Sequence, residues 1–141
     1  MDTLENKNPA CIAGWTPLHF SATNGHLEIC RLIMSTMKHK NPINRTGWTP
    51  LHQAARNGHL EICEIIMDTL KNKNPADVEG LSPLHEAAIN GHVAICKIMI
   101  DTLVDRNPPD DNGITPLYLA SKNGHFEICR LIQCKSQKYT K

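Results

Sequence analysis

The sequence predicts an all-α solenoid of stacked helix-turn-helix pairs joined by hairpin-like loops, and three observations carry that expectation. The first is a period: "TPLH" at 16 and 49, "SPLH" at 82 and "TPLY" at 115 are each separated by 33 residues. "NGH" at 24, 57, 90 and 123, "EIC" at 28, 61 and 127 with "AIC" at 94, and "NP" at 8, 41, 74 and 107 keep the same step without insertion or deletion. A repeat of this length marks an array of similar units. The second is that each unit carries two helix signals separated by a glycine. The third is size: so short a helix pair cannot close a core, and must bury its faces against the pairs before and after it.

The unit from residue 46 shows how each element arises. Thr49 is an N-cap whose hydroxyl can accept from the free amides of the first turn, and Pro50 stands at N1, where its missing N–H costs nothing. Small Ala54 and Ala55 allow another helix to approach closely. Gly58 supplies the left-handed residue that stops the first helix. The second helix begins near Leu60. Ile62, Cys63, Ile66, Met67 and Leu70 recur at three- and four-residue intervals and form a buried stripe, leaving Glu61, Glu64, Asp68 and Lys71 to solvent. Asn74-Pro75 is expected to end it, since the residue before proline avoids helical geometry.

The units divide as 13–45, 46–78, 79–111 and 112–141, in one domain spanning 1–141. Residues 1–12 read as the tail of a truncated unit, because "MDTLENKNP" aligns with "MDTLKNKNP" at 67. The chain therefore looks cut from a longer array, and weak self-association through the uncapped N-terminal face is expected. At the other end Gln133 and the polar "CKSQKYTK" break the pattern, as a capping unit does.

Composition narrows the function. Fifteen Lys and Arg against 14 Asp and Glu give a net charge of +1, which supplies no basic field for a phosphate backbone. Nucleic acid is not an expected partner. No apolar run approaches a membrane span and no secretory leader is visible at the N-terminus, so no membrane partner is expected. Six Cys without a leader suggest free thiols in cytoplasm or nucleus.

The repeat resembles the ankyrin family. Thr49-Pro50-Leu51-His52-Gln53-Ala54 matches the T-P-L-H-x-A signature of that family letter for letter. The other units depart slightly: Ser21 replaces the alanine, Ser82 the threonine and Tyr118 the histidine. Met37, Leu70 and Leu103 stand where ankyrin repeats usually close the second helix with glycine. A second helix about one turn longer, stopped by the Asn-Pro pairs, is the expected consequence. The resemblance also implies that His19, His52 and His85 brace their own turn and the neighbouring loop.

The residues that suggest chemistry are better explained by the repeat. His26, His59, His92 and His125, and Cys30, Cys63, Cys96 and Cys129, occur once per unit. Stacked helices lie about 8–10 Å apart, whereas the ligands of one zinc ion crowd within about 4 Å of each other. One residue per unit cannot converge, and no metal site or cofactor is expected. The four periodic cysteines read as buried thiols, with Cys11 the candidate reactive one. "LHEAAINGH" imitates a zinc-protease helix, but His92 follows His85 by seven residues where that motif needs four, and Gly91 intervenes. No nucleophile elbow or phosphate loop is present, so catalysis is not expected.

A residue present in every unit serves the scaffold, so a site for one partner belongs where the period breaks. Trp15, Trp48, Leu81 and Ile114 form an apolar column just before the first helices. Ile12, Arg45, Thr46, Val78, Glu79, Asp111 and Asn112 occupy hairpin tips, and Thr23, Arg56, Ile89 and Lys122 the first-helix face. The resemblance implies that these columns line the concave groove through which ankyrin arrays grip a protein or peptide. Trp15, Trp48, Leu81, Ile114, Arg45, Thr46, Arg56, Glu79, Ile89 and Lys122 are the candidate partner-binding residues, with Gln53 a further exposed candidate. Trp and Arg dominate interface hot spots. The simpler reading is that Trp15 and Trp48 pack on the next unit's hairpin. Two other functions remain open: a structural spacer in a longer array, or, from the resemblance, a substrate of asparaginyl hydroxylation at Asn41, Asn74 and Asn107, although the following proline departs from the usual motif.

Overall fold

A computed structural model describes residues 14–38 and 41–138. Ile12, Cys11 and the truncated unit at residues 1–12 lie outside them. Eight helices run in sequence order among the described residues: α1 Pro17–Asn24, α2 Leu27–Thr36, α3 Pro50–Asn57, α4 Leu60–Met67, α5 Pro83–Ile89, α6 Val93–Thr102, α7 Pro116–Lys122 and α8 Phe126–Lys138. Each unit is one antiparallel pair. The first helices α1, α3, α5 and α7 stack on one another, and the second helices form a more loosely packed row behind them.

The alanines explain the difference. Ala54, Ala55, Ala87 and Ala88 are fully buried, and their small side chains let first helices approach closely. Behind them Leu18, Leu51 and Leu84 alternate with Ile62, Ile66, Ile95 and Met99 in a core continuous along the array. At about 1.5–3 kcal/mol for each fully buried aliphatic side chain, this core outweighs any single helix's own propensity. Cys30, Cys63 and Cys96 are sealed within it, while Cys129 is only half-buried. Burial pushes the Cys63 and Cys96 thiols up to about 12.

Helix starts follow the sequence. Thr16, Thr49 and Ser82 each accept from the backbone N–H three residues on, and the histidine there reaches back to the N-cap amide, closing a reciprocal capping box. Gly58 takes φ 80° at the end of α3. A Cβ at Gly58 would lie 2.7 Å from the His92 ring, so glycine is required there for close approach as well as for its torsion.

The expected extension of the second helices is not found. α2 and α6 stop at Thr36 and Thr102, and the next residues, Met37 and Leu103, are extended (φ −95°, ψ 146° and φ −92°, ψ 143°). α4 stops at Met67. None reaches its Asn-Pro pair. The physical reason is local: Thr36, Thr69 and Thr102 hydroxyls donate to the carbonyls of Ile33, Ile66 and Met99 at 2.8–3.0 Å, giving terminal carbonyls a partner outside the ladder. Turning out of the helix also lets Met37, Leu70 and Leu103 pack against the core. The Asn of each pair instead serves the following unit: Asn41, Asn74 and Asn107 Oδ1 accept from the Leu51, Leu84 and Leu117 amides at 2.8–3.1 Å, satisfying a first-turn donor that would otherwise be free.

Candidate functional site

The hairpins are built from their own polar residues. Asn44 Oδ1 accepts from the amides of Thr46 and Trp48, Asp77 Oδ1 from Glu79 and Leu81, and Asp110 Oδ1 from Asn112 and Ile114, all at 2.8–2.9 Å. Successive hairpins are joined by backbone bonds, Val78 N–H to the Thr46 carbonyl at 3.0 Å and Asp111 N–H to the Glu79 carbonyl at 2.9 Å. These contacts fix the tips that carry Arg45, Thr46, Val78, Glu79, Asp111 and Asn112, all exposed.

Buried histidines tie hairpins to helices. His19, His52 and His85 Nε2 donate to the carbonyls of Trp48, Leu81 and Ile114 in the next unit at 2.8–2.9 Å. Their Nδ1 atoms accept from the Thr16, Thr49 and Ser82 amides at 3.0–3.1 Å. An accepting Nδ1 requires a neutral ring. Burial lowers all three histidines from the ordinary 6.5, His52 to about 4. A second set points the other way: His59, His92 and His125 Nε2 donate to the carbonyls of Thr23, Arg56 and Ile89 in the preceding unit at 2.8–3.2 Å. These six histidines are thus bracing, and among the described residues no group of three or more His, Cys, Asp or Glu is arranged to hold a metal ion.

Of the apolar column, Trp15, Trp48, Leu81 and Ile114 are each half-buried. The Trp15 ring lies 4.9 Å from Phe20 and 5.6 Å from His19. Trp48 stacks on His52 at 5.2 Å, and its Nε1 donates to Asp77 Oδ2 of the next hairpin at 2.9 Å. Trp48 therefore staples two hairpins, as the packing interpretation of this column requires. The Arg56 guanidinium lies 5.7 Å over the Trp48 ring, and the Lys122 ammonium 6.0 Å from the Tyr118 ring. Cations held over aromatic faces gain about 0.5–1 kcal/mol at exposed sites. Between these two bases, Ile89 is left 37% exposed. Arg56 and Lys122 are exposed and Thr23 half-buried.

Gln53 does not join this exposed set. It is 5% exposed, and its Oε1 accepts from the Thr23 hydroxyl of the preceding helix at 3.1 Å. Its register faces the neighbouring first helix, where close packing leaves little room. The equivalent position in the next unit is Glu86, 9% exposed, which sequence reasoning missed. Burial raises its carboxyl from 4.5 to about 7, opposed by Arg56 and reinforced by Asp77. The visible signal was a column reading Phe20, Gln53, Glu86, Leu119, in which one acid stands among residues destined for burial.

No helix among the described residues is long and apolar enough to cross a membrane. A family model described as "Ankyrin repeats (3 copies)" matches residues 2–77 and again residues 69–141. No curated protein matches the chain.

Proposed function

Because the chain belongs to the ankyrin-repeat family, whose repeats are in general non-enzymatic protein-interaction modules, we propose that it binds a protein or peptide segment along its hairpins and first helices. The carrying observation is the contrast between columns. The capping threonines, bracing histidines and packing alanines repeat, whereas exposed Arg45, Thr46, Glu79, Arg56, Ile89 and Lys122 do not. A nearly constant scaffold under varied exposed side chains is what a single partner would select. Trp15, Trp48, Leu81 and Ile114 form the apolar base, and the Asp77 bond holds the Trp48 ring in place before a partner arrives. A preformed surface loses little conformational entropy on binding.

Affinity capture from a cell extract tests this reading. Ile89→Asp and Arg56→Ala change exposed side chains, so circular dichroism and melting temperature stay near wild type while the captured partner is lost. Glu61→Ala and Lys97→Ala on the second helices keep it. Loss of the partner with the second-helix variants alone would place binding elsewhere and refute the proposal.

A further inference from the structure

Glu86 is a buried acid with no cation in contact with it, Arg56 acting on it only at longer range. Among the described residues its carboxylate makes no ion pair and accepts no hydrogen bond, although the residue is only 9% exposed. Its oxygens are not sealed from solvent. Natural structures rarely leave a buried carboxylate unpaired, because the uncompensated charge is costly. The equivalent Gln53 answers a polar neighbour, Thr23, at 3.1 Å. The residue equivalent to Thr23 beside Glu86 is Arg56, which could have answered it. Arg56 instead lies over the Trp48 ring, and Lys122, one unit further on, lies near Tyr118.

Resting on the groove reading above, we propose that Glu86 is the acceptor for a lysine or arginine side chain of the bound segment. The surroundings complement a base. The third and fourth hairpins, residues 76–81 and 109–114, carry Asp77, Glu79, Asp110 and Asp111 and no Lys or Arg. Ile89, three residues along the same helix and 37% exposed, offers its apolar surface to the methylene stem, while the charged head reaches the carboxylate. A charge-assisted hydrogen bond formed in so desolvated a position is stronger than one at the rim.

The test is selection of a displayed random-peptide library on the full chain. Wild type is expected to enrich peptides sharing a Lys or Arg. A synthetic peptide of that sequence is expected to bind Glu86→Gln about thirtyfold or more weakly, the loss that follows from breaking a buried charge pair. Replacing its base by norleucine is expected to weaken wild-type binding similarly and to leave Glu86→Gln binding unchanged. The variant places in the third unit the residue that Gln53 supplies in the second, so the register already tolerates it. No binder at all overturns the groove reading and this inference together. Binders that lose affinity with Ile89→Asp but share no base, or bind Glu86→Gln equally well, leave the groove reading standing and overturn this one alone.

Discussion

Replacing Glu86 by glutamine is expected to stabilise the protein increasingly as pH rises above 4.5, with the full gain above about 7. The carboxyl ionises near 7 in the fold in place of 4.5. Between those values the folded chain holds a proton that the unfolded chain has released, so stability falls as pH rises through the window. At about 1.4 kcal/mol per pH unit, the separation caps the penalty at about 3 kcal/mol above pH 7, less whatever the residual solvent contact screens. Glutamine keeps the shape and has no proton to lose. Urea unfolding followed by circular dichroism, at about pH 4 and about pH 8, compares the two chains directly. The expected result is coincident midpoints at the acid end and a higher midpoint for Glu86→Gln at the alkaline end. A variant less stable at about pH 8, or a difference that does not change with pH, would show that Glu86 is not an unpaired buried acid.

Other perturbations address the scaffold. Gly124→Ala meets nothing within 4 Å and reports only the left-handed backbone, about 1–2 kcal/mol. Gly91→Ala adds a Cβ 2.7 Å from the His125 ring and is expected to lower the melting temperature further; equal losses would mean that the ring yields freely. Trp48→Phe keeps a ring but loses the bond to Asp77, and is expected to cost about 1–3 kcal/mol in urea unfolding; no loss would deny the staple. His52 ionises near 4 in the fold against 6.5 ordinarily, so its contribution, up to about 3 kcal/mol, is complete above 6.5 and lost as pH falls toward 4. Acid titration of Glu86→Gln, free of the opposing carboxyl, should show that decline, and a flat profile would count against neutral bracing histidines. Cys63 and Cys96, buried and ionising only near 12, are expected to react with a thiol reagent only after denaturation, whereas exposed Cys134 reacts in the native chain. Rapid reaction of all three would refute the sealed core.

Local chemistry made much of this fold legible. Thr49, Pro50 and Gly58 state a helix start and stop through rules that need no tertiary information, and the period then repeats them. The second-helix ends are not legible in the same way, because the absence of a terminal glycine does not by itself mean continuation. Thr36 and Thr102 stop those helices by side-chain bonds to the preceding turn, and Met37 and Leu103 leave the helix to reach the core, neither of which follows from periodicity. The binding face was legible as columns but not as depth. Gln53 and Glu86 sit in a variable column, yet they are mostly covered, because the Ala54, Ala55, Ala87 and Ala88 beside them bring the first helices close and leave only a narrow opening to that face. Trp48 was legible as an apolar position, while its bond to Asp77 depends on a hairpin 29 residues away.

The central claim is that the hairpin and first-helix face holds a polypeptide partner. Nuclear magnetic resonance of the isotopically labelled chain, titrated with a library-selected peptide, tests it most directly. Only two Trp residues are present, so the indole Nε1–H of Trp48 is readily assigned. Shifts are expected at that indole and at the amides of Thr46, Arg56, Glu79, Ile89 and Lys122, with Glu61, Glu64 and Lys97 on the second helices unmoved. Shifts gathered on the second helices, with the Trp48 indole silent, would contradict it.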